Sequence, residues 1–314
     1  MAGLLRLPPI PSAAAIGFVS PASSAKAERV ETGLKTLRDL GYDPVLDPDA
    51  LERGPLYFAG TVDRRLDDFR AAFSDPYTSI VMAIRGGYGS NYLLENLDLD
   101  TIAAHPKPLF AYSDLTGLQL RLLNKLGIPA FHGPMLAADF YRPDGVHLSS
   151  FRSALAGDLY SLGPPEGLRL LRPGKNQAPA RGTLYGGCLS ILVSLLGTPW
   201  EPLTEGSLLF LEDTNVKPYQ IDRMIWQLRT AQKLDAVSGI VFGEMLDCVS
   251  PGSAPDLLDQ AILCALDDFP GPIAIGLRSG HVSRENVTLT FGVEAELTLG
   301  DDPQLRLLEP AVAK

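Results

Sequence analysis

Cysteine is scarce in this 314-residue chain: Cys188, Cys248 and Cys264 are the only three, and no two form a C-x-x-C pair. That spacing supports neither a disulfide framework nor a zinc site, and the three read as small core residues. Basic residues are outnumbered, 27 Lys and Arg against 37 Asp and Glu, for a formal net charge of −10. The cations are also scattered, which argues against nucleic acid, because phosphate binding needs a concentrated positive surface. No apolar run approaches the roughly 20 residues that span a bilayer. The opening Met1-Ala2-Gly3-Leu4-Leu5-Arg6-Leu7-Pro8-Pro9 is too short and broken for a signal peptide, so the expectation is a cytosolic protein with no membrane partner. Internal repeats and low-complexity tracts are missing as well.

What is present fits a soluble enzyme of one large or two modest domains, with 46% hydrophobic and 20% charged residues. The first half alternates strand and helix: Ile16 to Ser20, a helix Ala25 to Leu40 stopped by Gly41, Pro44 to Leu46, a helix Val62 to Phe73 and a buried strand Ser79 to Ile84. A helix from Ser90, a strand ending at Tyr112, a helix Asp114 to Leu126 and a strand Pro129 to His132 follow. Strands separated by helices of this length make a parallel sheet with right-handed crossovers. From about Tyr160 to Gln177 the periodicity disappears and Gly and Pro gather, which marks a linker. The second half mixes helices (Leu189 to Leu196, Pro218 to Leu234, Pro255 to Asp268) with strands (Ser207 to Leu211, Gly239 to Gly243, Pro272 to Gly276). It closes on Val287 to Phe291, Ala295 to Leu299 and Leu305 to Leu308. We expect a first domain over 1–160, a linker over 161–177 and a second α/β domain over 178–314 with antiparallel strands at its end.

Four places carry possible chemistry. Between Pro108 and Leu126 the chain reads apolar strand, tight turn, amphipathic helix, with Ser113 thrust into the turn. A hydroxyl there is exposed, and the backbone N–H groups opening the helix can hold an oxyanion. Ser113 or Asp114 would serve equally as a helix cap. Arg85-Gly86-Gly87-Tyr88-Gly89-Ser90 follows a buried strand, where glycines bring bare N–H groups to a ligand. Its spacing matches neither G-x-G-x-x-G nor the P-loop, and a tight turn without a ligand is the plainer alternative. Glu212-Asp213 ends the strand Leu208-Leu209-Phe210-Leu211, so a carboxylate there reaches the crevice outside the strand's carboxyl end. His281 also comes shortly after a strand, and beside Ser113 and a carboxylate it would complete a triad. His132 competes for that role. His281 is preferred because a cleft between two domains would draw base and nucleophile from opposite walls. His105 and His147 lie in loop-like segments that give no reason to choose them.

Arg85-Gly86-Gly87-Tyr88-Gly89-Ser90, Tyr112-Ser113-Asp114, His132-Gly133-Pro134-Met135, Gly186-Gly187-Cys188-Leu189-Ser190, Leu211-Glu212-Asp213 and Gly280-His281 occur in one order at domain-scale spacing. Together they resemble the LD-carboxypeptidase family of serine peptidases, which includes muramoyl-tetrapeptide carboxypeptidases and microcin C self-immunity peptidases. The resemblance runs from about Ile16 to Leu308. It implies an N-terminal Rossmann-like parallel-sheet domain and a C-terminal swivelling β/α domain with mixed and antiparallel strands, usually as a homodimer, with no metal and no cofactor. Carried over, the nucleophile falls on Ser113, the acid on Glu212, the histidine on His281, and the oxyanion donors on the backbone N–H groups of Gly87 and Asp114. Three positions depart from the family pattern: Ala111 replaces a common glycine, Cys188 a frequent asparagine, and Arg278-Ser279 precede Gly280 where proline is common.

The substrate the resemblance implies is murein tetrapeptide, cut between an L-centred diamino acid and terminal D-alanine during cell-wall recycling. An anionic ligand on an acidic protein needs local cations, and Arg85, Arg223 and Arg278 are the candidates. Two other readings stay open. A microcin-type immunity peptidase would cleave an amide in a peptidyl or aminoacyl nucleotide and would need an aromatic for the base, with Tyr88 and Trp200 available. A non-catalytic ligand-binding protein would have no use for a base and its orienter.

Overall fold

The computed structural model describes residues 2–51 and 54–314 and divides them into two units, the first of which holds the residues up to Asp158 together with Arg284–Gly292 and Pro310–Lys314. In its continuous part the chain runs β1 (Ala15–Val19), α1 (Ala27–Asp39), β2 (Asp43–Val45), α2 (Val62–Ser74), β3 (Ile80–Ala83), α3 (Leu99–Ala104), β4 (Leu109–Ala111), α4 (Thr116–Leu126), β5 (Ala130–His132) and α5 (Leu148–Ala156). Strands β1, β3, β4 and β5 are buried at every position, as expected of parallel strands covered on both faces. Helices α1 and α2 bury one stripe each: Val30, Gly33, Leu34 and Leu37 on α1, and Arg65, Phe69 and Phe73 on α2. Thr61 caps α2 by accepting from the Arg64 N–H, and left-handed Gly127 ends α4.

The helix expected from Ser90 is instead a single 3-10 turn, Ser90–Leu93, and α3 starts eight residues on from Tyr92's neighbour Asn91, where Asp98 caps the Thr101 N–H. The capping carboxylate sets the start of that helix.

The second unit comprises Leu159–Ser283 and Val293–Glu309. It runs β6 (Ser161–Leu162), β7 (Arg169–Arg172), β8 (Ala180–Cys188), α6 (Leu189–Ser194), β9 (Ser207–Glu212), α7 (Pro218–Thr230), β10 (Gly239–Gly243), α8 (Leu257–Ala265) and β11 (Ile273–Leu277). Strand β12 (Leu289–Phe291) belongs to the first unit, and β13 (Glu294–Leu297) and β14 (Leu305–Leu307) return to the second. The first sheet has the order β12-β5-β4-β3-β1-β2, parallel except for β12, which runs antiparallel to β5. The second has the order β6-β14-β13-β8-β9-β10-β11-β7, with a parallel centre from β8 to β11 and antiparallel strands on either side.

Two boundaries differ from the sequence reading. The expected linker over 161–177 carries β6 and β7, which pair with β14 and β11 at the two edges of the second sheet. Edge strands this short show little alternation, and β7 is tied down by Arg172, whose guanidinium donates to the Phe269 carbonyl at 2.6 Å. The segment Val287 to Phe291, assigned by sequence to the second domain, closes the open edge of the first sheet beside β5, where the Thr288 N–H donates to Ser150 Oγ at 3.0 Å. Covering that edge removes an unpaired row of backbone groups.

In the first sheet the strand order reverses between β1 and β3, so the loops after β1, β3 and β4 ring the crevice where open α/β sheets bind ligands. Pro21 to Ser24, the glycine loop Arg85 to Ser90, and Ser113 all lie there.

Candidate active site

Ser113 stands between β4 and the 3-10 turn Ser113–Leu115 that leads into α4. Its φ is +66°, left-handed for a side chain that has a Cβ, while Tyr112 before it is fully extended at φ −159°. Such a residue carries about 1–3 kcal/mol of strain and persists only where its surroundings dictate it. Here Thr116 Oγ1 donates to the Ser113 carbonyl at 2.8 Å, and Tyr112 and Asp114 on either side are buried. Ser113 itself is half-buried. Gly86 packs against it so closely that a Cβ on Gly86 would lie 3.0 Å from Ser113 Cβ and 3.2 Å from Oγ. The glycine leaves room around the hydroxyl.

The loop after β3 is fixed from two sides. Ser23 donates its N–H to the Gly86 carbonyl at 3.4 Å and accepts the Tyr88 N–H on Oγ at 3.1 Å. The Asp114 carboxylate accepts the Ser90 N–H at 2.8 Å, and Ser90 Oγ donates to the Asp114 carbonyl at 2.6 Å. Gly87 between these anchors has φ +117°. The Asp114 N–H belongs to the first turn of a helix, where backbone donors lack intrahelical acceptors. Ser113, Gly87 and Asp114 are thus brought together by three loops of one unit.

In the second unit, Glu212 is the last residue of β9 and is completely buried. Its Oε2 accepts two bonds from His281, the backbone N–H at 3.0 Å and the Nδ1–H at 2.8 Å. A proton on Nδ1 leaves Nε2 as the basic nitrogen, the tautomer a general base requires. The close approach depends on Gly280, with φ +94°, since a Cβ there would fall 2.6 Å from the Glu212 carboxyl carbon. His281 keeps 22% of its side chain exposed and Glu212 1%, so the carboxylate is shut away and the imidazole is the more reachable of the two.

The neighbouring Asp213 does something else. Its two oxygens accept the Ser190 and Thr214 N–H groups, each at 2.9 Å, which fixes the start of α6. Burial raises its pKa, opposed by those two bonds.

The other residues singled out by sequence separate clearly. His132 is fully buried, its ring 5.2 Å from Phe291 and 5.9 Å from Tyr112, which makes it a core residue. His147 caps α5, and His105 bonds to its own helix through the Thr101 carbonyl. Arg85 is half-buried beside the glycine loop, 3.4 Å from the Ser24 carbonyl. Arg223 is exposed on α7, 5.8 Å from the Tyr219 ring. Arg278, expected to bind substrate, is instead buried and braces a turn: its N–H donates to the Glu166 carbonyl at 3.0 Å and its Nη2 to the Pro165 carbonyl at 2.7 Å. Cys188 pairs in register with Glu212, and burial, reinforced by that carboxylate, raises its thiol pKa well above the ordinary value. Such a thiol is unreactive. Tyr88 is exposed within a cluster that includes Tyr57 and Tyr92, at ring distances of 5.5 and 6.3 Å.

Sequence reasoning did not single out Arg65. It lies on the buried stripe of α2, four residues before Phe69 and eight before Phe73, and that spacing is the signal by which it could have been found.

A family model described as the LD-carboxypeptidase N-terminal domain matches residues 16–133, and one described as the LD-carboxypeptidase C-terminal domain matches residues 181–297. A probable murein peptide carboxypeptidase of Bacillus subtilis (strain 168) is 34% identical over 294 residues, covering 91% of this chain and 89% of that protein. The crystal structure of a muramoyltetrapeptide carboxypeptidase from Oxalobacter formigenes superposes with a TM-score of 0.82 at 28% identity, covering 93% of this chain and 98% of the other. The microcin C7 self-immunity protein MccF in its wild-type apo state gives a TM-score of 0.86 at 26% identity, covering 98% and 100%.

Proposed function

The chain belongs to the LD-carboxypeptidase family of serine peptidases and is a serine carboxypeptidase, and from that premise we propose that it releases the terminal D-alanine of murein tetrapeptide through a Ser113–His281–Glu212 triad. The left-handed backbone of Ser113 carries this reading. Strain of that kind, placed at a strand-to-helix turn, fits the mounting of a nucleophile, and an ordinary helix cap has no need of it. The Glu212–His281 pair supplies a base held in the correct tautomer.

In the proposed cycle His281 Nε2 takes the Ser113 proton as Oγ attacks the carbonyl of the penultimate residue. The negative charge gathers on the former carbonyl oxygen, where the Gly87 and Asp114 N–H groups receive it. Loss of one such donor costs about 10²- to 10³-fold in rate. Collapse of the tetrahedral intermediate breaks the C–N bond, and His281 gives its proton to the departing D-alanine nitrogen. Water, deprotonated by His281, then attacks the acyl-enzyme ester, and the serine leaves as its hydroxyl. Arg85, half-buried beside the glycine loop, is our candidate for the substrate carboxylate, with exposed Arg223 as the alternative.

The test is D-alanine release from murein tetrapeptide by the purified protein, beside Ser113→Ala and a control peptide ending in L-alanine. Release that requires both Ser113 and the D-terminal residue is the expected result. Turnover of an aminoacyl nucleotide with none of the tetrapeptide would replace the substrate, and full activity of Ser113→Ala would remove the mechanism.

A further inference from the structure

We infer that Arg65 and Ser90 are positioning residues that set the oxyanion donors, by locking the three loops of the first unit to one another. The inference rests on the assignment of Ser113, Gly87 and Asp114 above and concerns side chains that do not touch substrate.

Arg65 is 2% exposed. Its Nη1 donates to two carbonyls at once, Pro21 in the loop after β1 at 2.7 Å and Gly89 in the loop after β3 at 2.8 Å. Its Nε lies 3.4 Å from the Thr61 carbonyl at the start of its own helix, and its guanidinium sits 4.9 Å from the Phe58 ring centroid. One planar, rigid head group therefore ties helix α2 to both loops that flank the reversal in strand order. Ser90, the next residue after Gly89, continues the chain of contacts to the loop after β4, through its N–H to the Asp114 carboxylate and its Oγ to the Asp114 carbonyl. The connection runs Pro21, Arg65, Gly89, Ser90, Asp114, and it brackets Gly87 on one side and the nucleophile on the other.

The chemistry of the choice argues for position over stability. A buried guanidinium is costly to desolvate, and apolar residues of similar volume often hold a fold as well or better. Burial does press on Arg65, lowering its pKa, and the Asp114 charge is the largest influence opposing that pressure. What an apolar side chain cannot do is fix two carbonyls on separate loops at hydrogen-bond distance. An oxyanion donor has to meet its oxygen at about 2.7–3.1 Å, and a displacement near 1 Å costs about 10²-fold. Gly87 is two residues from the carbonyl Arg65 holds, so slack at Gly89 passes directly to the donor.

The experiment uses the whole protein and a fluorophosphonate, which phosphonylates an activated serine, passes through an oxyanion and needs no knowledge of the peptide substrate. Labelling at Ser113 is resolved into kinact and KI for the wild type, Ser90→Ala, Arg65→Lys and Arg65→Met, with Tm measured on each. We expect kinact to fall about tenfold in Ser90→Ala and about 10²-fold in Arg65→Met, with KI unchanged. Arg65→Lys should lie between Arg65→Met and the wild type, because an ammonium has donors enough for both carbonyls but its flexible stem does not hold them in place as the planar guanidinium does. Should Arg65→Met fail to fold, Ser90→Ala and Arg65→Lys decide the matter. Wild-type kinact in both, a loss confined to KI, or no labelling of wild-type Ser113 would overturn the inference. D-alanine release is scored separately: labelling without release rejects the murein substrate and leaves the positioning result readable.

Discussion

The serine turn and the Glu212–His281 pair are built in opposite ways. The first is made by backbone: a left-handed residue at a strand end, a glycine close against its side chain, and donors supplied by main-chain N–H groups. The second is made by side chains, a buried carboxylate and a half-covered imidazole from the ends of β9 and the segment after β11. A backbone device is fixed by the conformation of its neighbours and tolerates many changes of side-chain identity. A side-chain pair has little conformational strain to hold it and depends on each atom that accepts or donates. The two should therefore respond to substitution differently, and that difference can be measured.

The largest effects are on rate. Ser113→Ala removes the proposed nucleophile and should lower kcat by about 10⁴- to 10⁶-fold. Glu212→Gln keeps the shape of the pair but loses the charge that fixes the Nδ1 proton, and should lower kcat by about 10⁴-fold. Neither change should move Tm by more than a few degrees. A Glu212→Gln enzyme within tenfold of wild type would mean that His281 is oriented by something other than this carboxylate. Gly280→Ala should act on the pair through both stability and rate. Its φ of +94° is poorly suited to alanine, and the new Cβ would meet the Glu212 carboxyl group. We expect a loss of about 1–3 kcal/mol in chemical denaturation together with a marked fall in kcat. Retention of both would show that the segment can shift without disturbing the hydrogen bond.

A third feature, a buried carboxyl group, lies behind the serine turn. Asp139 is fully buried, and burial raises its carboxyl pKa from an ordinary 3.8 to about 6, against the opposing bonds from Met135 and Asn286, the Arg142 charge and Tyr112. Tyr112 precedes Ser113, and its hydroxyl lies 3.5 Å from Asp139 Oδ1. Between the two pKa values the folded protein binds the proton more tightly than the unfolded chain does. The stability from the protonated carboxyl is therefore present in full below about pH 4 and is lost as pH rises to about 6, a change on the order of 3 kcal/mol. Asp139→Asn lacks this titration. Measured against it by denaturant unfolding, the wild type should lose stability from pH 4 to pH 7, and parallel curves would place the carboxyl in a better-solvated state.

The backbone device was also the more legible of the two in sequence. Strand, turn and helix around Ser113 lie within twenty consecutive residues, so apolar pattern and turn position suffice to find them. Glu212 and His281 could be chosen by residue type and by their place after strands, but their contact joins residues 69 apart and emerges only when β9 and β11 are both placed beside β10. Arg278 was misread for the same reason: it looks like a free cation beside His281, and only the fold brings the Pro165 carbonyl to it. The edge strands β6 and β7 were lost in a Gly- and Pro-rich stretch because short edge strands need not alternate, and β12 looked local to the second domain because nothing in its residues names β5 as partner. Arg65 was visible as a cation on an apolar stripe, yet surface placement is the ordinary expectation for arginine.

The finest test of the comparison separates strain from chemistry at one position. Ser113→Ala and Ser113→Gly both lack the proposed nucleophile and should both be inactive, but only alanine retains a Cβ in the left-handed region. Relief of that conformation by glycine is worth about 1–2 kcal/mol. The greater freedom of glycine in the unfolded chain takes back about 0.4–1 kcal/mol. Ser113→Gly should therefore be the more stable of the two by about 0.8 kcal/mol, the difference between the midpoints of those terms, and denaturant unfolding with matched slopes resolves a gap of that size. An alanine variant as stable as the glycine one would mean that the turn relaxes once the hydroxyl is gone, and that the serine itself holds the backbone in place. The predicted ordering would instead show that the fold imposes the strained conformation whichever side chain stands there, as a nucleophile mounted by backbone requires.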